Sequence, residues 1–442
     1  MKKLMMVIAL LTLSALVSSS FADVQNIRLS GDVRIRGYYN TYGGEFGQTS
    51  LIAQRTRITC EADLEDHVLV VVTLKAEGMW GDWETTGLTG GGVATWDSNI
   101  NREWAVGVNE AYVQMNEMFF QAATLKLGRQ YLHYGRGLII SSVENEYNFD
   151  AARLVLDYYP LTVDLVGALL NNQDTAFTPS GGGLNRRNYL LFANARYEMT
   201  DSFIKDVEGY FGYITQSRDT AADMTDTGYR PLAGQASPWI VGLRADLNLT
   251  KNLQAWVEGV YEGGNDGYVS GKQISAFLLN AGAQLSLGDS KMAPMIHGNY
   301  TFASGGGSDG QNSFRPWFDI ASDYNGYLFK PALSNIHIFN LGATIKPAKN
   351  CTVGVDVYYY MASSKNAPVA TNPNIDLGFG TFVGPAGSTD LGWEVDAKLG
   401  YDYSKDVRFQ LIAGTFIPGK STRNAWTDEL SIGVRGEVAV KF

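Results

Sequence analysis

The chain has 442 residues, of which 45% are hydrophobic, 12% aromatic and 18% charged, and its formal net charge is −10. An acidic balance of that size argues against general nucleic-acid binding. The two cysteines, Cys60 and Cys351, have no CxxC or Cys/His spacing, which argues against a metal site and leaves their pairing open.

The N-terminus has the pattern of a secretory leader. Lys2 and Lys3 are followed by an apolar run from Leu4 to Val17 and by the small-x-small site Ser20-Phe21-Ala22. Residues 1–22 are therefore expected to be removed, with the mature chain starting near Asp23 and a net charge near −12 once the two leader lysines are gone. No later apolar run approaches the about 20 residues of a helical span. A membrane protein of this kind must be a closed barrel, because lipid offers backbone groups no partners. No linker or shift in composition divides residues 23–442, so one outer-membrane β-barrel is expected there.

In chain order, alternating apolar and polar residues predict strands at 26–39, 51–63, 68–77, 104–116, 121–133, 149–158, 161–171, 188–198, 206–215, 239–247, 252–261, 272–286, 293–302, 336–346, 351–361, 390–400, 406–417 and 429–442. The fold class is all-β: a transmembrane antiparallel barrel of about 18 strands. The gaps alternate. Leu64-Glu65-Asp66-His67, Pro160, Thr250-Lys251, Pro347-Ala348-Lys349 and Ser404-Lys405 are short; 78–103, 172–187, 216–238, 303–335 and 362–389 are long. Short periplasmic turns and long outer loops give such a rhythm. The 24 tyrosines and 9 tryptophans suit aromatic girdles. In the last strand Phe442, Val440, Val438, Gly436, Val434, Ile432 and Leu430 alternate with Lys441, Ala439, Glu437, Arg435, Gly433 and Ser431. This strand is expected to meet the barrel-assembly machinery, and outer-membrane lipid is the other expected partner.

Alternation also assigns the lumen. A charge on the lipid face near the midplane costs about 2–4 kcal/mol, so charged residues point inward. Closure puts the last strand beside the first, which gathers Arg34, Arg36, Arg55, Arg57, Arg408 and Arg435 on one arc of wall. Arg153, Glu110, Glu394 and Asp396 are also expected along the solute path, with Glu258, Asp356, Asp157, Arg244 and Asp246 adding mixed charge. Two readings stand side by side. Either the charges set a field across a pore, or they pair across strands and hold the wall. Glu394 and Asp396 lie close enough to the Arg408 strand to pair with it. For the arginines as a group, solute contact is the expectation, since strands 1 and 2 carry few acids.

Catalysis is not expected. His67, His133, His297 and His337 are accompanied by no recognisable nucleophile motif. No cofactor is implied. Gly128-Arg129-Gln130 breaks the alternation that Leu125 and Leu127 set up. Arg129 then faces lipid unless a bulge, or a place at the outer end of the strand, relieves it. Arg129 and Gln130 are expected to hold loop 134–148, through Glu144 or Asp150. Loop 303–335 begins Gly305-Gly306-Gly307 and carries Phe314, Trp317, Phe318, Tyr324 and Tyr327. It is either a constriction or lid, or a loop packed over the rim.

Several of these segments together resemble one family. Asn109-Glu110-Ala111-Tyr112-Val113 leads to Leu125-Lys126-Leu127-Gly128-Arg129-Gln130. Tyr134-Gly135-Arg136-Gly137-Leu138-Ile139 follows, then Phe149-Asp150-Ala151-Ala152-Arg153-Leu154. With Ala303-Ser304-Gly305, Phe314 to Phe318-Asp319, Gly392-Trp393-Glu394-Val395-Asp396 and Phe416-Ile417-Pro418-Gly419, the series resembles the alginate-export family of outer-membrane porins. The resemblance implies an 18-stranded barrel with an electropositive conduit for an anionic polysaccharide. It departs after Ser304-Gly305, where Gly306-Gly307-Ser308 precedes Asp309 in place of the family's acid. The expected function is a channel in the outer membrane of a Gram-negative-type bacterium, passing anionic polysaccharide, another anionic sugar or a small polar solute along an arginine-lined lumen. The other reading is a non-transport barrel whose surface loops are structural or adhesive.

Overall fold

Alternation along each segment is realised as strands of one closed sheet. The computed structural model describes residues 26–41, 48–64, 67–81, 104, 106–142, 148–174, 185–216, 237–265, 273–288, 290–306, 312–314, 316–318, 325–365, 369, 388–425 and 428–442. The leader on residues 1–22, Glu144, Gly307 to Asp309, Asp319 and Tyr324 lie outside them. The strands are β1 (Asn26–Thr41), β2 (Gln48–Asp63), β3 (Val68–Met79), β4 (Val106–Asn116), β5 (Ala123–Gln130), β6 (Phe149–Tyr158), β7 (Leu161–Asp174), β8 (Asn185–Glu198) and β9 (Ile204–Gln216). The second half comprises β10 (Ser237–Asn248), β11 (Leu253–Asn265), β12 (Gln273–Ser286), β13 (Met295–Ala303), β14 (Ile336–Ala348), β15 (Cys351–Ala362), β16 (Asp390–Asp402), β17 (Val407–Pro418) and β18 (Ser431–Lys441). A short helix, α1 (Lys420–Ala425), precedes β18. Each strand pairs antiparallel with the next, and β1 pairs with β18, so the 18-stranded sheet closes. No described helix is long and apolar enough to cross a membrane; the strands make the crossing.

Closure is specified residue by residue. β1 meets β18 from Asp32 opposite Lys441 to Thr41 opposite Ile432. Beyond that register the Phe442 N–H donates to the Gly31 carbonyl (3.0 Å), and the Gly31 N–H to the Phe442 carbonyl (2.8 Å). The Phe442 ring faces outward at the membrane edge and is 67% exposed. A Phe442→Asp variant is therefore expected to insert poorly, because it puts a charge on the lipid face of the closing strand. Surface abundance and the anomalous migration of unboiled protein measure this; wild-type values for both would remove the role given to the ring.

The outward face is apolar, as at Leu243 and Leu341. Towards its outer end Trp239, Tyr261 and Phe277 pack ring against ring at a tilt, and Phe339, Tyr359 and Trp393 form a second row, together making part of the aromatic girdle. The buried hydrophobic cluster lies inside the barrel. It is made by two outer loops that fold into the lumen and pack on inward residues such as Phe192, Ile240, Tyr360 and Phe416. Both cysteines are free.

Candidate functional site

The inward phase of β18, β1 and β2 carries Arg435, Glu437, Lys441, Arg28, Asp32, Arg34, Arg36, Arg55, Arg57, Glu61 and Asp63. Seven are basic and four acidic, an excess of three positive charges. Asp32 bridges two of them, accepting from Arg55 Nη2 (2.6 Å) and Arg57 Nε (2.6 Å). Arg36 pairs with Glu437 directly across the seam. Arg34 stands opposite Arg55 in the β1–β2 register, a juxtaposition of like charges. Arg435 lies over the Tyr327 ring, 5.4 Å from its centroid. Arg28 pairs with Glu61 (3.0 Å) and Asp63 (2.8 Å) towards the periplasmic end.

A bulge extends this wall. The β3–β4 register shifts between Thr73 and Leu74, so both Asn109 and Glu110 turn inward opposite Thr73. Glu110 faces Lys126, Arg57, the Tyr131 backbone N–H and the Thr73 hydroxyl. Lys126 Nζ lies 3.5 Å from the centroid of the Tyr112 ring.

Two loop segments occupy the lumen. The first, a strap of residues 131–142, is closed on itself by the Tyr134 N–H to the Ile140 carbonyl (3.2 Å) and the Ser142 N–H to the Leu132 carbonyl (2.9 Å). It is fastened to the wall through its backbone. The Gly135 N–H donates to Glu208 (2.9 Å) and the Arg136 N–H to Glu258 (2.8 Å). The Arg136 guanidinium lies over Trp256 (4.2 Å) and 3.5 Å from Asp246. Burial pushes the Tyr134 phenol above its ordinary range, so it stays neutral against Phe192. The second segment is the tip of loop 303–335. Glu394 accepts the N–H groups of Tyr327 (2.6 Å), Leu328 (2.6 Å) and Phe329 (2.8 Å) and the Tyr360 hydroxyl (3.1 Å). Asp396 accepts a further bond from the Tyr327 N–H (3.1 Å). Phe329 stacks on Phe416, the Trp317 indole N–H donates to Glu262 (3.2 Å), and Phe318 meets Phe149 edge-on.

The structure thus gathers Arg34, Arg36, Arg55, Arg57 and Arg435 but places other expected residues differently. Arg408 keeps the inward phase, yet it is half exposed by the periplasmic turn and lies 3.4 Å from Asp402. Glu394 and Asp396, expected on the solute path, are fully buried beneath the loop tip. They neither line an open path nor reach Arg408. Arg153 is paired with Asp164 (2.5 Å). Arg129 takes the second of its two expected resolutions: it faces outward at the outer end of β5 and is held by both oxygens of Asp150 (2.8 and 2.9 Å), one of the two partners expected for it. Gln130 is buried and donates to the carbonyls of Gly128 (3.2 Å) and Ala151 (3.0 Å), which fixes the strand end rather than the loop. Phe314, Trp317 and Phe318 belong to the segment that folds inward, with Phe314 fully buried. Sequence reasoning missed Tyr131, Asn109, Arg136, Glu208 and Glu262 as loop fastenings. Asn109 and Arg136 stood in segments that carry the resemblance, and Glu208 and Glu262 had inward phase as their signal.

A family model described as alginate export matches residues 28–431. The chain belongs to the alginate export family. Among solved structures, this alginate export barrel is similar in fold to three from Pseudomonas aeruginosa. OpdK with vanillate is 12% identical, with 94% of this chain and 98% of that one covered and a TM-score of 0.59. OpdO is 13% identical, with 95% and 98% covered and a TM-score of 0.57. OccK8 (OprE) is 9% identical, with 96% and 99% covered and a TM-score of 0.56. A search of curated proteins finds no match. The alginate export barrel is an outer-membrane protein of the channel class.

Proposed function

We propose that the barrel is a diffusion channel for anionic solutes, either an anionic polysaccharide or smaller anionic or polar molecules, which pass along the β18–β1–β2 wall. One observation carries this reading: the acids beneath the strap and the tip are buried, whereas three arginines of the wall, unlike Arg55 and Arg435, stay partly exposed. Across the lumen Glu208, Glu258 and Glu262, and on nearby β16 Glu394 and Asp396, are buried and bonded to the strap and the tip. On the basic wall Arg34, Arg36 and Arg57 stay partly exposed. A wall of one sign in a low-dielectric surround concentrates the opposite ion. Guanidinium groups stay charged and hold carboxylates by two parallel bonds. Over a Debye length of about 8 Å the near wall outweighs the far one.

The reversal potential in a salt gradient across a planar bilayer tests the reading. Wild type is expected to favour anions. Joint Arg34→Ala, Arg55→Ala and Arg435→Ala changes are expected to move the potential towards cations. A wild type that prefers cations, or a triple variant with an unchanged potential, makes the arginines structural. A second reading, a barrel without transport, draws on the apolar cluster inside the lumen. It is settled by whether single barrels conduct at all.

A further inference from the structure

The strap reaches the basic wall at one side chain. Tyr131 opens the strap, and its phenol oxygen accepts from Arg57 Nη1 (3.1 Å) and from Asn109 Nδ2. Asn109 is there only because the β4 bulge turns it inward. Its Oδ1 in turn accepts from Asn148 Nδ2 (3.1 Å), at the far end of the same loop. A phenol oxygen takes two donors and has one hydrogen of its own. Both of these donors point at the Tyr131 oxygen, and its hydrogen has no acceptor among the described residues. The ring is partly exposed and stands beside Arg57, which Asp32 holds from its other side (2.6 Å).

We infer that Tyr131 and Arg57 form an oxyanion subsite on the conduit, in which the Tyr131 O–H donates to an oxygen of a passing carboxylate while Arg57 supplies the charge. The inference rests on the anion-conducting reading above and deepens it. A basic wall alone attracts any anion. A hydroxyl donor fixed beside a guanidinium favours anions whose oxygens accept directed hydrogen bonds over a spherical halide of equal charge. Glu110 contributes without touching the solute. It receives the Tyr131 backbone N–H, which sets where the ring starts. Tyr131 is thus a specificity-determining residue.

The test measures the permeability ratio of glucuronate to chloride from reversal potentials under bi-ionic conditions, together with conductance in potassium chloride. In Tyr131→Phe the ring and its packing remain and only the hydroxyl is lost. The ratio is expected to fall by about fivefold, the factor one net hydrogen bond supplies, while the preference for chloride over potassium persists. Asn109→Ala removes one donor and leaves the hydroxyl, so its ratio is expected to stay near wild type. A merely structural role for Tyr131 would change glucuronate and chloride permeation together and leave the ratio alone. An unchanged ratio in Tyr131→Phe overturns the subsite and means that the phenol hydrogen is spent on the Asn109 amide. A wild type without anion preference overturns the channel reading itself, a separate outcome read before any variant is made.

Discussion

Replacing Glu394 by alanine is expected to unseat the loop tip and raise single-channel conductance. The carboxylate is fully buried and accepts three consecutive backbone N–H groups and the Tyr360 hydroxyl. Alanine leaves the Leu328 and Phe329 N–H groups without an acceptor inside the barrel, while the Tyr327 N–H keeps Asp396 and the Tyr360 hydroxyl keeps the Asn325 carbonyl. Each orphaned N–H costs about 1–3 kcal/mol, so the two together cost on the order of 4 kcal/mol. The segment recovers its hydrogen bonds only by moving to water. Phe329 then leaves its stack on Phe416, and the Tyr327 ring leaves Arg435. Two measurements read this: conductance in planar bilayers, and proteolysis of loop 303–335 in barrels reconstituted in liposomes. Glu394→Gln keeps one acceptor oxygen and is expected to lie between wild type and alanine. Wild-type conductance together with wild-type protection in the alanine variant would show that apolar packing, not the carboxylate, seats the tip.

The second large effect concerns assembly. Gly31→Leu is expected to block closure of the seam. A Cβ on Gly31 would lie 2.5 Å from the Arg57 carbonyl oxygen and 2.6 Å from Phe442 Cζ. The first obstacle is backbone in the neighbouring strand and cannot swing aside, and the second is the ring that covers the glycine. Overpacking of this kind costs about 1–3 kcal/mol even where side chains can adjust. Here it falls on the residue whose N–H and carbonyl bond to Phe442. The folded fraction, read from the migration of unboiled protein, is expected to drop severalfold. Gly37→Ala is the control on the same strand and face, since its nearest neighbour would be Ile52 Cγ1 at 4.0 Å. A Gly31→Leu barrel that assembles like wild type would show that the seam tolerates a shifted C-terminus.

The barrel was readable in the sequence because its wall obeys a local rule. A period of two places Arg34 and Arg36 inward and Ile35 outward without knowledge of any partner, and the gap rhythm counts the strands. The bulge was also visible in principle: Val106 and Val108 share one phase, Ala111 and Val113 the other, and the switch falls at Asn109. What alternation could not show was which inward acids a loop would cover. Glu394 and Leu328 are 66 residues apart, and Arg136 and Glu258 are 122 apart. The donors in both cases are backbone N–H groups, which every residue but proline possesses. Arg408 shows a related limit. Its phase was right, but phase carries no information about depth, and the residue belongs to the periplasmic turn with Asp402.

Both inward loops are held by main-chain amides on wall carboxylates, and this separates two kinds of heredity in the protein. The wall acids are fixed by the strands and cannot change identity without releasing a loop. The side chains at Arg136 and Leu328 can be exchanged while the amides that anchor them persist, whereas Gly135 must stay glycine, since a Cβ there would run into Glu258 Oε1. Loop chemistry can therefore drift between lineages faster than loop position. A family built this way can retune what it admits while its scaffold stays unaltered, and a designer could graft new side chains onto the same seats.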